Sequence, residues 1–228
     1  MDDINASLEQ DFAEALDRLV PVRETGFQKL GLAVSGGPDS LALLLLASNA
    51  YPDMVAAATV DHGLRPASRQ EAEYVASVCR ERGIPHSILR PVIPIRGSIQ
   101  SAARRARYGL LHDWMKEQRI GWLATAHHAD DQLETLIMRL LRGSGVDGMS
   151  GIREKRGNII RPLLRFRKSA LESYVASHGL EAIDDPSNRD QGFDRVRVRN
   201  ALKDLEGFDI SLASQSASAL EAAREAIE

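Results

Sequence analysis

The chain has 228 residues, 43% of them hydrophobic and 27% charged, which is enough for one α/β domain with a full core. Its formal net charge is -3, so bulk charge does not mark a nucleic-acid binder, and any such role has to come from local patches. Cys79 is the single cysteine; it excludes an internal disulfide and a zinc or iron–sulfur site built on the chain's own cysteines, and it reads as a small apolar helix residue.

Residues 1–24 read as an amphipathic lead-in helix, because Phe12, Leu16 and Leu19 recur at helical spacing among acids. The opening Met1-Asp2-Asp3 lacks the basic and apolar regions of a leader, and the longest apolar run, Leu41–Ala47, is too short to span a bilayer. A soluble, cytoplasmic protein with no membrane partner is therefore expected. Leu30–Val34 is a short apolar run ending in Gly36-Gly37 and reads as a strand; Asp39–Ala50 follows as a helix. Met54–Val60 is a second strand, closed by Asp61-His62-Gly63. Ser68 is the expected N-cap of a helix to about Arg82, with Glu71 completing a capping box and Gly83 ending it. Ser87–Leu89 is a third strand, a helix runs from Ser98 or Ser101 to about Glu117, and Ile120–Thr125 is a fourth strand. Asp130–Leu141 is helical until Gly143-Ser144-Gly145 breaks it.

Strands alternating with helices at this spacing predict an α/β fold: a parallel sheet with helices on both faces and ligands bound outside the carboxyl ends of its strands. The polar clusters Ser35–Ser40, Asp61-His62 and His127–Asp131 all follow predicted strands. After Ser150 the texture changes. Arg153–Lys168 is basic with one acid, Glu154, and Lys168–Ser177 is a short helix ending at His178-Gly179. Asp184–Asn188 is turn-rich, and Asp194–Leu205 carries Arg195, Arg197 and Arg199. Leu212–Ile227 has an Ala-rich helical pattern without a C-cap, a small helical extension that raises the expectation of a following segment. The domain reading is a lead-in over 1–24, a catalytic unit over 25–205 and a C-terminal helix over 206–228.

Ser35-Gly36-Gly37-Pro38-Asp39-Ser40 stands at a strand-to-helix junction. Glycines let the backbone curl several N–H groups towards a phosphate, and the helix start behind adds partial positive charge. The loop lacks the Gly-Lys-Ser/Thr ending of a Walker loop and is not Gly-x-Gly-x-x-Gly, which sets a nicotinamide cofactor aside. The plainer alternative is a Gly-rich turn with Asp39 as its helix cap. Asp61 and His62 can contact a nucleotide; taken alone, the simpler reading is a loop-capping Asp61 beside a structural His62. The arginines of Arg104-Arg105-Ala106-Arg107 fan around a helix, so most read as solvated surface, with one of them able to reach the site edge. In His127-His128-Ala129-Asp130-Asp131-Gln132-Leu133-Glu134-Thr135, Asp131 and Glu134 stand i, i+3 on one helix face, suited to bind and deprotonate an amine; the alternatives are acids complementing the helix start or a metal site, the latter lacking a third strong ligand.

These segments resemble a known family. The Ser35–Ser40 hexapeptide is similar to the SGGxDS loop of N-type PP-loop ATP pyrophosphatases, and His127–Thr135 to the HHxxDQxET signature of the tRNA(Ile)-lysidine synthetase family. Arg107-Tyr108, Leu141–Gly145, Arg161–Leu164, Asp185–Asn188 and Arg195-x-Arg197-x-Arg199 match further pieces in order. The resemblance implies ATP with Mg²⁺, cleavage between the α and β phosphates, and ligation of L-lysine to a wobble cytidine of tRNA(Ile) through an adenylated RNA. It implies that Ser35, Gly36, Gly37, Pro38, Asp39 and Ser40, with Asp61 and His62, bind ATP. His127, His128, Asp131, Glu134, Arg195, Arg197 and Arg199 would serve lysine or tRNA, with Asp39, Arg107, Asp131 and Glu134 catalytic. No protein metal ligand is assigned beyond Mg²⁺ near Asp39, and a homodimer is compatible with the chain. The rivals are a PP-loop thiolase or amidotransferase, the cysteine-pair thiolases being disfavoured by the lone Cys79, and a nucleotide-sensing module without turnover.

Overall fold

The computed structural model describes residues 2–20, 29–63, 66–91, 99–184 and 194–203, together with Leu212, Ser216, Ala219 and Leu220, which are helical. Alternate residues of the central strands face opposite ways, and this divides the core in two. In β1 (Leu30–Ala33) Leu30 and Leu32 face one side and Ala33 the other; in β2 (Val55–Val60) Val55 and Ala57 oppose Ala56 and Ala58. The first side is covered by α1 (Asp2–Leu19), α2 (Pro38–Ala50), α3 (Pro66–Glu81) and α7 (Lys168–Ser177), through Phe12, Leu44, Val75 and Tyr174 among others. The second is covered by α4 (Ile99–Glu117) through Leu111, Trp114 and Met115. Helix α2 is buried from Ser40 to Ala47 because α1 and α7 pack on it from outside the sheet. A Cβ on Gly31 would meet the Trp114 ring at 2.9 Å, so glycine in β1 lets the α4 indole lie against the sheet.

The sheet runs β3-β2-β1-β4-β6-β5, adding β3 (His86–Leu89), β4 (Trp122–Ala124), β5 (Lys155–Arg156) and β6 (Ile159–Ile160). All pairings are parallel except the antiparallel β5–β6 edge. Leu30 of β1 stands opposite Val55 on one side and Trp122 on the other. The chain builds outward from β1 to β3 and then returns to the far side of β1 for β4. The connections after β1 and β4 therefore diverge, and the crevice between them is where such sheets bind ligands.

The fold class is as expected, with local differences. Helix α3 begins at Pro66, whose missing N–H suits a first helical position, so Ser68 lies inside the first turn and is not the cap. Its hydroxyl donates to Asp61 instead (2.7 Å). Helix α5 (Ala129–Leu141) starts one residue early because His128 caps it. The β5–β6 hairpin and the four-residue α6 (Val146–Met149) stand where the sequence showed only a basic stretch and a break. Helix α8 (Asp194–Lys203) carries the three spaced arginines. Asp185–Asn188 and most of the C-terminal extension lie outside the described residues.

Candidate active site

The loop after β1 is organised by one hydroxyl. Ser40 Oγ accepts from the amides of Ser35 and Gly36 (3.1 Å each), donates to Gly37 O (3.0 Å) and lies 3.2 Å from Ser35 Oγ. Ser40 thus shapes the loop from inside, whereas Ser35 is exposed on its rim. Gly36 has φ +91°, and a Cβ there would come within 2.3 Å of Ile183, whose amide donates to Gly36 O (2.9 Å). The segment leading into residues 185–190 therefore straps the loop from outside, and only glycine fits beneath it. No side chain caps the start of α2. The first-turn amides of Asp39 and Ser40 have no intrahelical acceptor, which leaves an anion-ready helix start.

The loop after β4 meets this one through Asp39 and His128. His128 Nδ1 accepts from the Asp131 amide (3.3 Å) while Asp131 Oδ2 accepts from the His128 amide (3.2 Å), a reciprocal cap at the start of α5. The other ring nitrogen, Nε2, stands 3.4 Å from Asp39 Oδ2 and so ties α5 to α2. Burial works against charge on His128, but the Asp39 contact and the nearby Asp131 and Asp130 outweigh it and raise the pKa above 6.5. Its neighbour His127 goes the other way. Burial, aided by Arg161, Arg104 and Arg107 against the pull of Asp131, pushes it down to about 4. His127 is therefore a neutral ring at neutral pH, with Nδ1 3.0 Å from Thr125 Oγ1. Two other members of the motif are structural. Asp130 Oδ2 accepts from the Lys168 amide (2.9 Å) at the start of α7, and Gln132 pairs amide-to-amide with Ile152.

Between these loops lies a cleft of about 450 Å³ whose lining includes Ser35, Gly37, Asp39, His62, Arg107, His127 and Asp131. Asp39 Oδ1 is buried without a hydrogen-bond partner, as is His62 Nδ1. Burial, then the Arg107 charge, lower the His62 pKa against the pull of Asp61, leaving a neutral ring there too. Arg107 pairs with no carboxylate among the described residues, and burial with the Arg104 charge lowers its pKa against the phenol of Tyr108. A part-buried guanidinium, an uncapped helix start and an orphaned carboxylate oxygen around one cleft suit a polyphosphate with a divalent cation.

Asp61 sits differently from its expected role at the nucleotide. Its Oδ1 accepts from Gly63 N (3.0 Å) and Ser68 Oγ (2.7 Å), its Oδ2 from Arg90 Nε (3.0 Å), and it is absent from the cleft lining. It caps the loop that presents His62. Glu134 is also turned from the cleft: it is buried and takes Arg199 bidentately, Nε to Oε1 at 2.5 Å and Nη2 to Oε2 at 3.1 Å. Asp131 and Glu134 thus share a helix but face different partners. Arg199 holds α8 to α5, Arg197 is exposed, and the Arg195 side chain lies outside the described residues. Thr125 and the Ile183 strap join the site although their sequence context gave them no role, and Tyr108, noted only as the partner of Arg107 in a family-like pair, lines the cleft as well.

Comparison with known proteins gives the chain its relatives. A family model described as a PP-loop domain matches residues 6–206. The tRNA(Ile)-lysidine synthase of Zymomonas mobilis subsp. mobilis is 43% identical over 227 residues, 95% of this chain and 68% of that protein. Those of Novosphingobium aromaticivorans and Ruegeria pomeroyi are 43% and 41% identical, covering 86% and 88% of this chain. The chain spans 63% and 50% of those two relatives' lengths. Among solved structures, the U34-tRNA thiolase NcsA from Methanococcus maripaludis with its [4Fe-4S] cluster superposes with a TM-score of 0.77 over 96% of this chain and 80% of its own, at 19% identity, a likeness of fold alone. Here Cys79 is buried, and desolvation pushes its thiol up to about 12, so it is inert as a nucleophile at neutral pH.

Proposed function

This chain belongs to the tRNA(Ile)-lysidine synthase family of PP-loop proteins, and from that premise we propose that its β1–β4 cleft uses ATP to activate a wobble cytidine of tRNA(Ile) and joins L-lysine to it. The observation that carries the reading is the contact of Asp39 with His128 (3.4 Å), which makes one site of the phosphate loop and the β4–α5 segment. We take 25–205 as the catalytic unit, with 1–24 and 206–228 as flanking helices, and cytoplasm as the place of action.

The chemistry divides among these residues. The α2 amides, the Ser35 hydroxyl and Arg107 hold the phosphates, leaving Ser40 to shape the loop. Asp39 Oδ1 suits Mg²⁺, which when bound neutralises phosphate charge. The cytidine C2 carbonyl oxygen attacks the α-phosphorus and pyrophosphate leaves. The lysine ε-amine then attacks C2 and AMP departs. Free lysine has a pKa of about 10.4, so its ammonium must be bound and deprotonated first. Asp131 lines the cleft and serves that step; Glu134, committed to Arg199, positions α8 beside it. Neutral His127 and His62 offer uncharged ring nitrogens to base and ribose without repelling Arg107 or Mg²⁺. Single-stranded RNA allows the base to be splayed into such a cleft.

The test is incubation with labelled lysine, ATP and a panel of tRNAs. Label is expected in isoleucine tRNA carrying a wobble cytidine, and only with ATP. Lysine label in no RNA, alongside ATP turnover supported by another nucleophile, contradicts the proposal and favours a different PP-loop ligation.

A further inference from the structure

A second cavity of about 290 Å³ adjoins the cleft, and Arg104 lines both. Its charged lining is Arg104, Arg139, Arg153, Arg156 and Arg161, with no carboxylate. These come from α4, α5 and the β5–β6 hairpin with its flanks, so the concentration of charge exists only after folding. Arg161 is 7% exposed; its Nη1 donates to Arg153 O (2.7 Å) and its Nε is buried without a partner. Arg139 Nη1 donates to the carbonyls of Gly148 and Gly151, which fixes its guanidinium at the wall. Among the described residues no carboxylate pairs with any of the five. Glu154, the one acid of the basic stretch, is held by Arg18 (3.2 Å) and Arg165 (2.7 Å), and Arg167 leans to Asp130 at 3.9 Å. The basic stretch is thus two populations: Arg165 and Arg167 are neutralised, while Arg153, Arg156 and Arg161 converge with two distant arginines on empty space.

A buried guanidinium without an anion is unfavourable unless a ligand supplies one. Burial, and the nearby charges of Arg104 and Arg156, lower the Arg161 pKa against the phenol of Tyr108, which hydrogen-bonds to it. We propose that this cavity binds a backbone phosphate of the RNA strand whose base enters the cleft. It rests on the reading above in one respect, that the cleft takes a base from a strand. The triphosphate has its own cradle at the start of α2. A strand with one nucleotide in the cleft carries its flanking phosphate past the rim, where Arg104 bridges the two cavities. Forked guanidinium donors match phosphate oxygens pairwise, and such a contact ignores base identity.

The test is the double variant Arg153→Gln/Arg156→Gln, both residues being exposed, with Arg161→Lys as a second variant that keeps the charge and loses the fork. Binding of isoleucine tRNA and of an unrelated single-stranded RNA oligonucleotide is measured over a salt series, with ATP affinity alongside. Both variants are expected to weaken both RNAs roughly tenfold at low salt, with ATP affinity within about twofold of wild type. The double variant should flatten the salt slope by about 0.7 for the lost single-strand phosphate. An unchanged slope and affinity would mean a merely solvated basic face, and a loss of ATP or pyrophosphate affinity instead would assign the cavity to the nucleotide; either overturns the proposal. Because the contact is blind to sequence, RNA binding reports on it even if no tRNA accepts lysine, a failure that would fall on the lysine-ligation reading alone.

Discussion

At the end of β2, Asp61 is well partnered: an amide, a hydroxyl and a guanidinium all donate to its carboxylate, and they hold its loop. In the first turn of α2, on the loop that follows β1, Asp39 is also an acid beyond a buried strand, yet its Oδ1 is buried with no partner while Oδ2 meets His128. An unsatisfied buried acceptor costs about 1–3 kcal/mol, so a fold keeps one where something outside the polypeptide completes it. Hydrogen-bond partnering separates the two acids where residue type does not. Arg90 and Arg107 repeat the contrast: Arg90 is spent on Asp61, while Arg107 faces the cleft paired with no carboxylate among the described residues.

The contrast is broken or sharpened most strongly at Asp39. Asp39→Asn should lower RNA-dependent conversion of ATP to AMP by roughly 100-fold or more, the scale of losing one electrostatic contact to a transition state, without lowering the melting temperature. Near-normal turnover would reduce the loop to a turn. Asp131→Asn comes next. Loss of a charge-assisted contact worth about 1.5–3 kcal/mol should raise the half-saturating lysine concentration roughly 10- to 100-fold and leave ATP affinity intact. In Glu134→Gln the same kinetic loss should come with easier proteolysis of α8, since Arg199 loses its charged anchor; lysine dependence unaltered in both variants places the amine site elsewhere.

Arg107→Gln should weaken ATP binding about tenfold in a titration and leave thermal stability unchanged or higher, because an unpaired part-buried charge is removed. A clear fall in melting temperature would show that Arg107 is structural after all. Asp61→Asn should do the reverse: about 1–3 kcal/mol less stability, or about 2–4 °C in melting temperature per kcal/mol, with turnover within about twofold of wild type. Its pH dependence has a definite sign. Burial works to raise the Asp61 pKa, but Ser68, Gly63 and Arg90 together hold it below 3.8. The stabilisation is therefore complete above 3.8 and disappears as pH falls through the lower folded value. The stability gap between wild type and variant should be flat at neutral pH and close in acid titration.

Much of this was legible in the residues. Helix α7 keeps its predicted bounds, α2 its end at Ala50, and the three polar clusters do follow β1, β2 and β4. What escaped has physical reasons. The β5 and β6 strands are two residues each, too short for a period-two pattern to register. His128 is an uncommon helix cap, so the residues alone place the start of α5 one position late. Ser68 looked like a cap because a capping box and a Pro-led first turn leave similar local sequence. Separating Asp131 from Glu134 needed Arg199, 65 residues beyond Glu134 and on another helix. Splitting the basic stretch into neutralised and open arginines needed Arg18, Arg104 and Arg139 in space.

The most direct test of the account follows the α-phosphate. The protein is mixed with α-labelled ATP and isoleucine tRNA without lysine, the RNA is isolated, and lysine is then added. The account predicts label on the RNA in the first step and its discharge as AMP in the second, one AMP for each lysine incorporated. Label appearing on lysine as an aminoacyl adenylate, with none on the RNA, would contradict it, because activation would then lie on the amino acid and not on the base held in the β1–β4 cleft.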